Sequence, residues 1–74
     1  MVLEVRLFAT FRQERFKVRQ MELPEGISLA GLLEMLVIDI KEVGILLVNG
    51  RNSNEDMILN AGDIVAIFPV VGGG

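Results

Sequence analysis

Only one stretch of this chain, residues 29–40, repeats its apolar side chains at helical spacing. The segments on either side of it alternate instead. Leu29, Leu32, Leu33, Leu36 and Ile40 fall on one face of a 3.6-residue turn. Ahead of them, Leu3, Val5 and Leu7 oppose Glu4, Arg6 and Phe8, which is the pattern of a half-buried strand over 3–8. Residues 15–21 alternate again, with Phe16 and Val18 opposed to Lys17 and Arg19. The link between the two runs, Thr10 to Glu14, is polar and short, so the strands pair antiparallel. Beyond the helix, Ile45 to Val48 and Ile64 to Phe68 read as two more strands. In 74 residues, strands on both sides of a single helix predict an α+β architecture. It is a mixed sheet of about four to five strands packed on that helix.

The punctuation agrees. Leu23-Pro24-Glu25-Gly26 stops the second strand, because Pro lacks a donor and Gly marks a turn. Ser28 is placed as the helix N-cap, with Ile27 and Leu32 as a hydrophobic staple around it. Gly44 is the expected helix stop. Asn49-Gly50 is a tight-turn signal, residues 51–56 read as a loop, and Asn60 to Asp63 form another turn. Pro69 closes the last strand. The chain therefore divides into a folded domain over 1–69 and a flexible tail over 70–74, with no repeat and no linker.

Composition removes most catalytic chemistry. There is no Cys and no His, so thiolate and imidazole nucleophiles, bases and metal ligands are absent. A chain of this size buries only ~60% of its unfolded surface, which leaves little material for a self-contained active site. The longest apolar run, Ile64 to Val71, is far short of the ~18 residues that cross a membrane. The opening residues lack a signal-peptide layout, and the expectation is a soluble cytoplasmic protein without a membrane partner. Net charge is −3, unevenly spread: residues 1–21 carry a net +3 and residues 22–74 a net −6. The acidic balance argues against a nucleic-acid partner. The basic run at 12–19 reads as solvated strand faces and a turn.

Few residues remain as chemical candidates. Ser28 is a cap, and Ser53 has no base in a recognisable motif. Glu55 and Asp56 are neighbouring acids on a loop, and Asp63 follows Gly62 as a turn residue. Gly72-Gly73-Gly74 precedes no helix and is not a phosphate-binding loop. Glycine does, however, let a chain enter a channel too narrow for side chains. Residues 70–74 reach at most ~17 Å when extended, and they would present the Gly74 α-carboxylate at the tip of a slim arm.

Strand parity adds a surface. With Val65 and Ile67 pointing into the core, Ile64, Ala66 and Phe68 point outward, and Phe8 is outward when Leu3, Val5 and Leu7 are inward. Phe8, Ile64 and Phe68 would then form an exposed apolar patch beside the tail, a usual mark of an interaction site. The parity of Ile45 is ambiguous.

Several segments together resemble the MoaD/ThiS family of ubiquitin-like β-grasp sulfur carriers. They are Leu3-Glu4-Val5-Arg6-Leu7-Phe8-Ala9, Leu23-Pro24-Glu25-Gly26, Val48-Asn49-Gly50, Ala61-Gly62-Asp63-Ile64-Val65-Ala66-Ile67-Phe68-Pro69 and the terminal Gly73-Gly74. The likeness spans the chain in order. Leu7-Phe8-Ala9 and Phe68-Pro69 resemble the small subunit of molybdopterin synthase, although Val70 stands where that branch commonly has a second Pro. The ending Val71-Gly72-Gly73-Gly74 resembles the thiamine-pathway carriers.

The resemblance implies that a ubiquitin-activating-like adenylyltransferase adenylates the Gly74 carboxylate, using its own ATP and Mg²⁺. A sulfur source such as a sulfurtransferase then converts it to a thiocarboxylate. The carrier would be no enzyme itself; it would dock through its apolar sheet face while Val70, Val71, Gly72 and Gly73 enter the partner's active site. That partner would be the molybdopterin synthase large subunit or a thiazole synthase. Molybdopterin synthesis is the first expectation. A thiamine thiazole carrier, a tungsten-cofactor carrier, a ubiquitin-like modifier of lysines and a plain interaction module are the alternatives.

Overall fold

The computed structural model describes residues 1–71. Five strands form one mixed sheet: β1 (Val2–Leu7), β2 (Val18–Glu22), β3 (Val43–Val48), β4 (Arg51–Asn52) and β5 (Ile64–Pro69), in the order β2-β1-β5-β3-β4. The helix α1 (Leu29–Leu36) crosses one face. Strands β1 and β5 run parallel at the centre, and every other pairing is antiparallel. This is the β-grasp arrangement expected from the sequence, with five strands.

The core lies between the sheet and α1. Leu3, Val5 and Leu7 of β1, Val65 and Ile67 of β5, and Leu46 and Val48 of β3 pack against Leu29, Leu32 and Leu33. Alternation in the strands and helical spacing in α1 aim these apolar sets at one another. Burying each such side chain contributes roughly 1.5–3 kcal/mol.

Ser28 caps α1, its Oγ accepting from the Gly31 N–H at 3.1 Å. The loop after β4 satisfies two more helix-start donors: the carbonyls of Met57 and Glu55 accept from Leu29 and Ala30 at 2.9 and 2.8 Å. Glu55 and Asp56 are thus part of a loop that closes the helix start, and among the described residues no three acids converge as metal ligands. No helix among the described residues is long and apolar enough to cross a membrane.

Four expectations need correction, the first being the loop over 51–56: Arg51 and Asn52 pair with β3 as β4, and the loop begins after them. The helix ends at Leu36, not near Gly44, although Ile40 keeps the helical period. Val37 takes a left-handed conformation, with φ 58° and ψ 45°, and the Ile38 N–H turns back to the Leu33 carbonyl at 2.9 Å. Arg15 fixes this stop by donating to the carbonyls of Leu36 and Val37, each at 3.0 Å. A cation at the negative end of a helix is also electrostatically favourable. The second strand starts at Val18 rather than at 15, because Arg15 is committed to the helix end. The link before it contains a 3-10 turn, Ala9–Arg12, whose Phe11 is buried in the core. Gly44 lies inside β3, where it has a different task.

Candidate functional site

The sheet face turned away from α1 holds the predicted patch residues. Val65 and Ile67 are fully buried, whereas Ile64 is 37% exposed and Ala66 and Phe68 are half-buried. The Phe8 and Phe68 rings stack with centroids 4.1 Å apart and planes 8° from parallel. Stacked rings contribute roughly 0.5–1.5 kcal/mol beyond the area they bury. The Arg12 guanidinium lies 5.1 Å from the Phe8 centroid, and its Nε donates to the Leu7 carbonyl at 2.7 Å. Phe8 therefore packs against both a ring and a cation, and the two contacts constrain its orientation.

Strand register enlarges the patch. Ile45 pairs with Phe68 and Leu47 with Ala66, so both join this face, and Ile45 is 47% exposed. The parity of Ile45 is ambiguous in sequence because Ile45 to Val48 is an uninterrupted apolar run, and the register with β5 resolves it. The same run conceals Leu47, which only the register places on this face. Toward β2 the same face becomes polar, where Arg6 and Gln20 both donate to the Glu4 carboxylate.

Strand β5 carries the patch straight to the tail. At its start, the Asp63 carboxylate accepts from Asn49 Nδ2 at 2.9 Å and from the Asn60 N–H at 2.8 Å. Asn49 Oδ1 accepts from the Ile64 N–H at 3.0 Å. Asn49 and Gly50, with φ 53° and 81°, make the tight turn after β3. Asp63, read from sequence as a turn residue, therefore also ties two turns together.

At the other end, the Val70 N–H donates to the Glu42 carbonyl at 2.8 Å, one residue past the strand. Val70 and Val71 are exposed. Phe8, Phe68 and Val70 thus gather at the tail end of β5, whereas Ile64, expected beside the tail, stands on the same face at the opposite end of the strand. Gly72, Gly73 and Gly74, including the predicted terminal carboxylate, lie outside the described residues.

The ThiS family model matches residues 5–74. No curated protein matches the sequence. Solved structures do. A Pyrococcus furiosus protein described as molybdopterin converting factor subunit 1 is 31% identical, covers 96% of this chain and 99% of its own, and superposes with a TM-score of 0.77. A chain of the Helicobacter pylori complex of molybdopterin-converting factor subunits 1 and 2 is 25% identical over 100% of both chains, with a TM-score of 0.66. SAMP1 from Haloferax volcanii shares the fold at a TM-score of 0.78 over 100% of both chains, with 22% identity.

Proposed function

The chain belongs to the ThiS family of small ubiquitin-like sulfur carriers, and on that footing we propose that it donates sulfur in molybdopterin biosynthesis through its Gly74 carboxylate. The observation that carries this reading is the continuity of the Phe8–Phe68 apolar face with the strand that leads into the tail. A partner that covers this face receives the tail at a defined edge. The likeness to molybdopterin converting factor subunit 1 supports the choice of pathway, and the two-subunit complex supports a large-subunit partner.

The chemistry follows from the group available. A C-terminal carboxyl has an ordinary pKa near ~3.5, so at neutral pH it is an anion and a poor electrophile. One carboxylate oxygen attacks the α-phosphorus of ATP, the P–O bond to the β-phosphate breaks, and pyrophosphate leaves. The acyl-adenylate then accepts a sulfide sulfur at its carbonyl carbon. The C–O bond to AMP breaks, AMP departs, one proton is released and a thiocarboxylate remains. No redox change occurs. The activating partner supplies ATP, Mg²⁺ and acid–base groups. This chain supplies the docking face, a slim arm and the acyl group.

Intact-mass analysis tests the reading after incubation with an adenylating enzyme of this type, Mg-ATP and sulfide. The expected result is a mass gain equal to exchange of one oxygen for sulfur, absent when Gly74 is deleted. Sulfur transfer to a molybdopterin precursor by the large subunit then identifies the pathway; transfer by a thiazole synthase assigns it to thiamine. Covalent adducts on target lysines in place of sulfur transfer indicate a modifier. An unchanged mass beside an active control carrier overturns the proposal.

A further inference from the structure

Gly44 meets the root of the tail. Pairing of β3 with β5 jumps from Val43↔Pro69 to Ile45↔Phe68, which leaves Gly44 as the extra residue of a bulge. A Cβ on Gly44 would lie 2.7 Å from the Pro69 carbonyl oxygen and 3.0 Å from the Val70 Cα. Both neighbours are backbone, so no rotamer change relieves the clash. Either the bulge of β3 or the root of the tail would have to shift, and either changes the geometry between them. Gly44 needs no left-handed backbone here; it is required by close approach alone.

Two other features converge on the same point. The Val70 N–H is held by the Glu42 carbonyl, at the end of a 3-10 turn (Ile40–Glu42) that Asp39 caps through the Lys41 N–H at 2.9 Å. Two residues upstream of Val70, Phe68 is fixed in its stack with Phe8. The docking face and the exit of the tail are thus pinned two residues apart, at Phe68 and Val70, and Gly44 sets the geometry between them.

We propose that Gly44 is a positioning residue that fixes the direction in which the tail leaves the docking face. This rests on the carrier reading above. The arm beyond Val70 can span up to ~14 Å, so a change of direction at its root moves by ångströms the region within reach of the terminal carboxylate while the face stays seated. Misplacement of a reacting group by about 1 Å can lower a rate about a hundred-fold.

The test begins with the wild-type chain by NMR. A cross-peak between Gly44 and Val70 Hα protons and slow exchange of the Val70 amide are expected. A missing cross-peak with free-amide exchange overturns the proposal without any variant. Gly44→Ala is then compared with wild type for affinity to the adenylating enzyme and for single-turnover adenylation. Affinity should change less than about two-fold and the rate should fall about ten- to a hundred-fold, with Val65 and Ile67 amides still protected. A wild-type rate in Gly44→Ala, or equal losses of affinity and rate, overturns the proposal alone. A wild-type chain that is never adenylated beside an active control carrier overturns the carrier reading and this inference with it.

Discussion

Strand β5 is secured in different ways at its two ends. At the start, the nearly buried Asp63 accepts two hydrogen bonds and joins the Asn49 turn to the Asn60 turn. At the finish, Pro69 still pairs with Val43, and Val70 leaves the sheet with its N–H on the Glu42 carbonyl, both residues pressed against the bare Cα of Gly44. The start has backbone bonds too, such as the Asn49 N–H to the Ile64 carbonyl at 2.8 Å, but adds side-chain ties that could be removed one at a time. The finish is held by backbone, with side chains left free to face outward. A small domain can place its working group outside its own core when the strand leading to it is anchored firmly at the far end.

The comparison predicts a separation of effects. Deleting Gly74 should abolish thiocarboxylate formation, read by intact mass, and leave the melting temperature unchanged. Phe68→Asp should weaken binding to the large subunit by about 30-fold or more, the scale of an interface hot spot. Calorimetry reads the affinity and circular dichroism should still report a folded domain; global unfolding would show instead that Phe68 is core. Asp63→Ala should cost about 2 kcal/mol, because it removes a charged acceptor and strands the Asn60 N–H. In a domain of this size that lowers the melting temperature by about 8–16 °C. Thiocarboxylate yield per folded molecule should not change, and a parallel loss of yield would break the distinction between the two ends. The smallest effect is a gain. Val37→Gly relieves a β-branched residue held at positive φ and should stabilise by about 1 kcal/mol in denaturant titration, with neither end of β5 affected.

Sequence carried much of this architecture because the informative signals were local. Alternation in residues 3–8 and 64–68 placed inward and outward side chains correctly in both central strands. Ser28 marked the helix start, and Asn49-Gly50 marked a turn. The features that could not be read depend on distant partners. Ile40 continued the helical period, but the helix stops at Val37, where Arg15 reaches its last carbonyls from 21 residues away in sequence. Phe11 sits in a polar link yet fills the core, because the 3-10 turn carries it inward. Gly44 resembled a helix stop. Its actual constraint, the backbone of Pro69 and Val70, appears only when β3 is laid beside β5. The apolar face was legible in outline through Phe8, Ile64 and Phe68, while Ile45 and Leu47 required the register.

The parallel pairing of β1 with β5 has a mechanical consequence. A partner that draws the tail into a channel pulls on the end of β5 lengthwise. Glu4 to Leu7 lie alongside Ile64 to Ile67 in matched register, and β3 flanks β5 on its other side. The traction therefore loads both ladders in shear, with their hydrogen bonds sharing the force instead of parting one after another from an edge. Force along the arm would meet the length of the strand and not its edge.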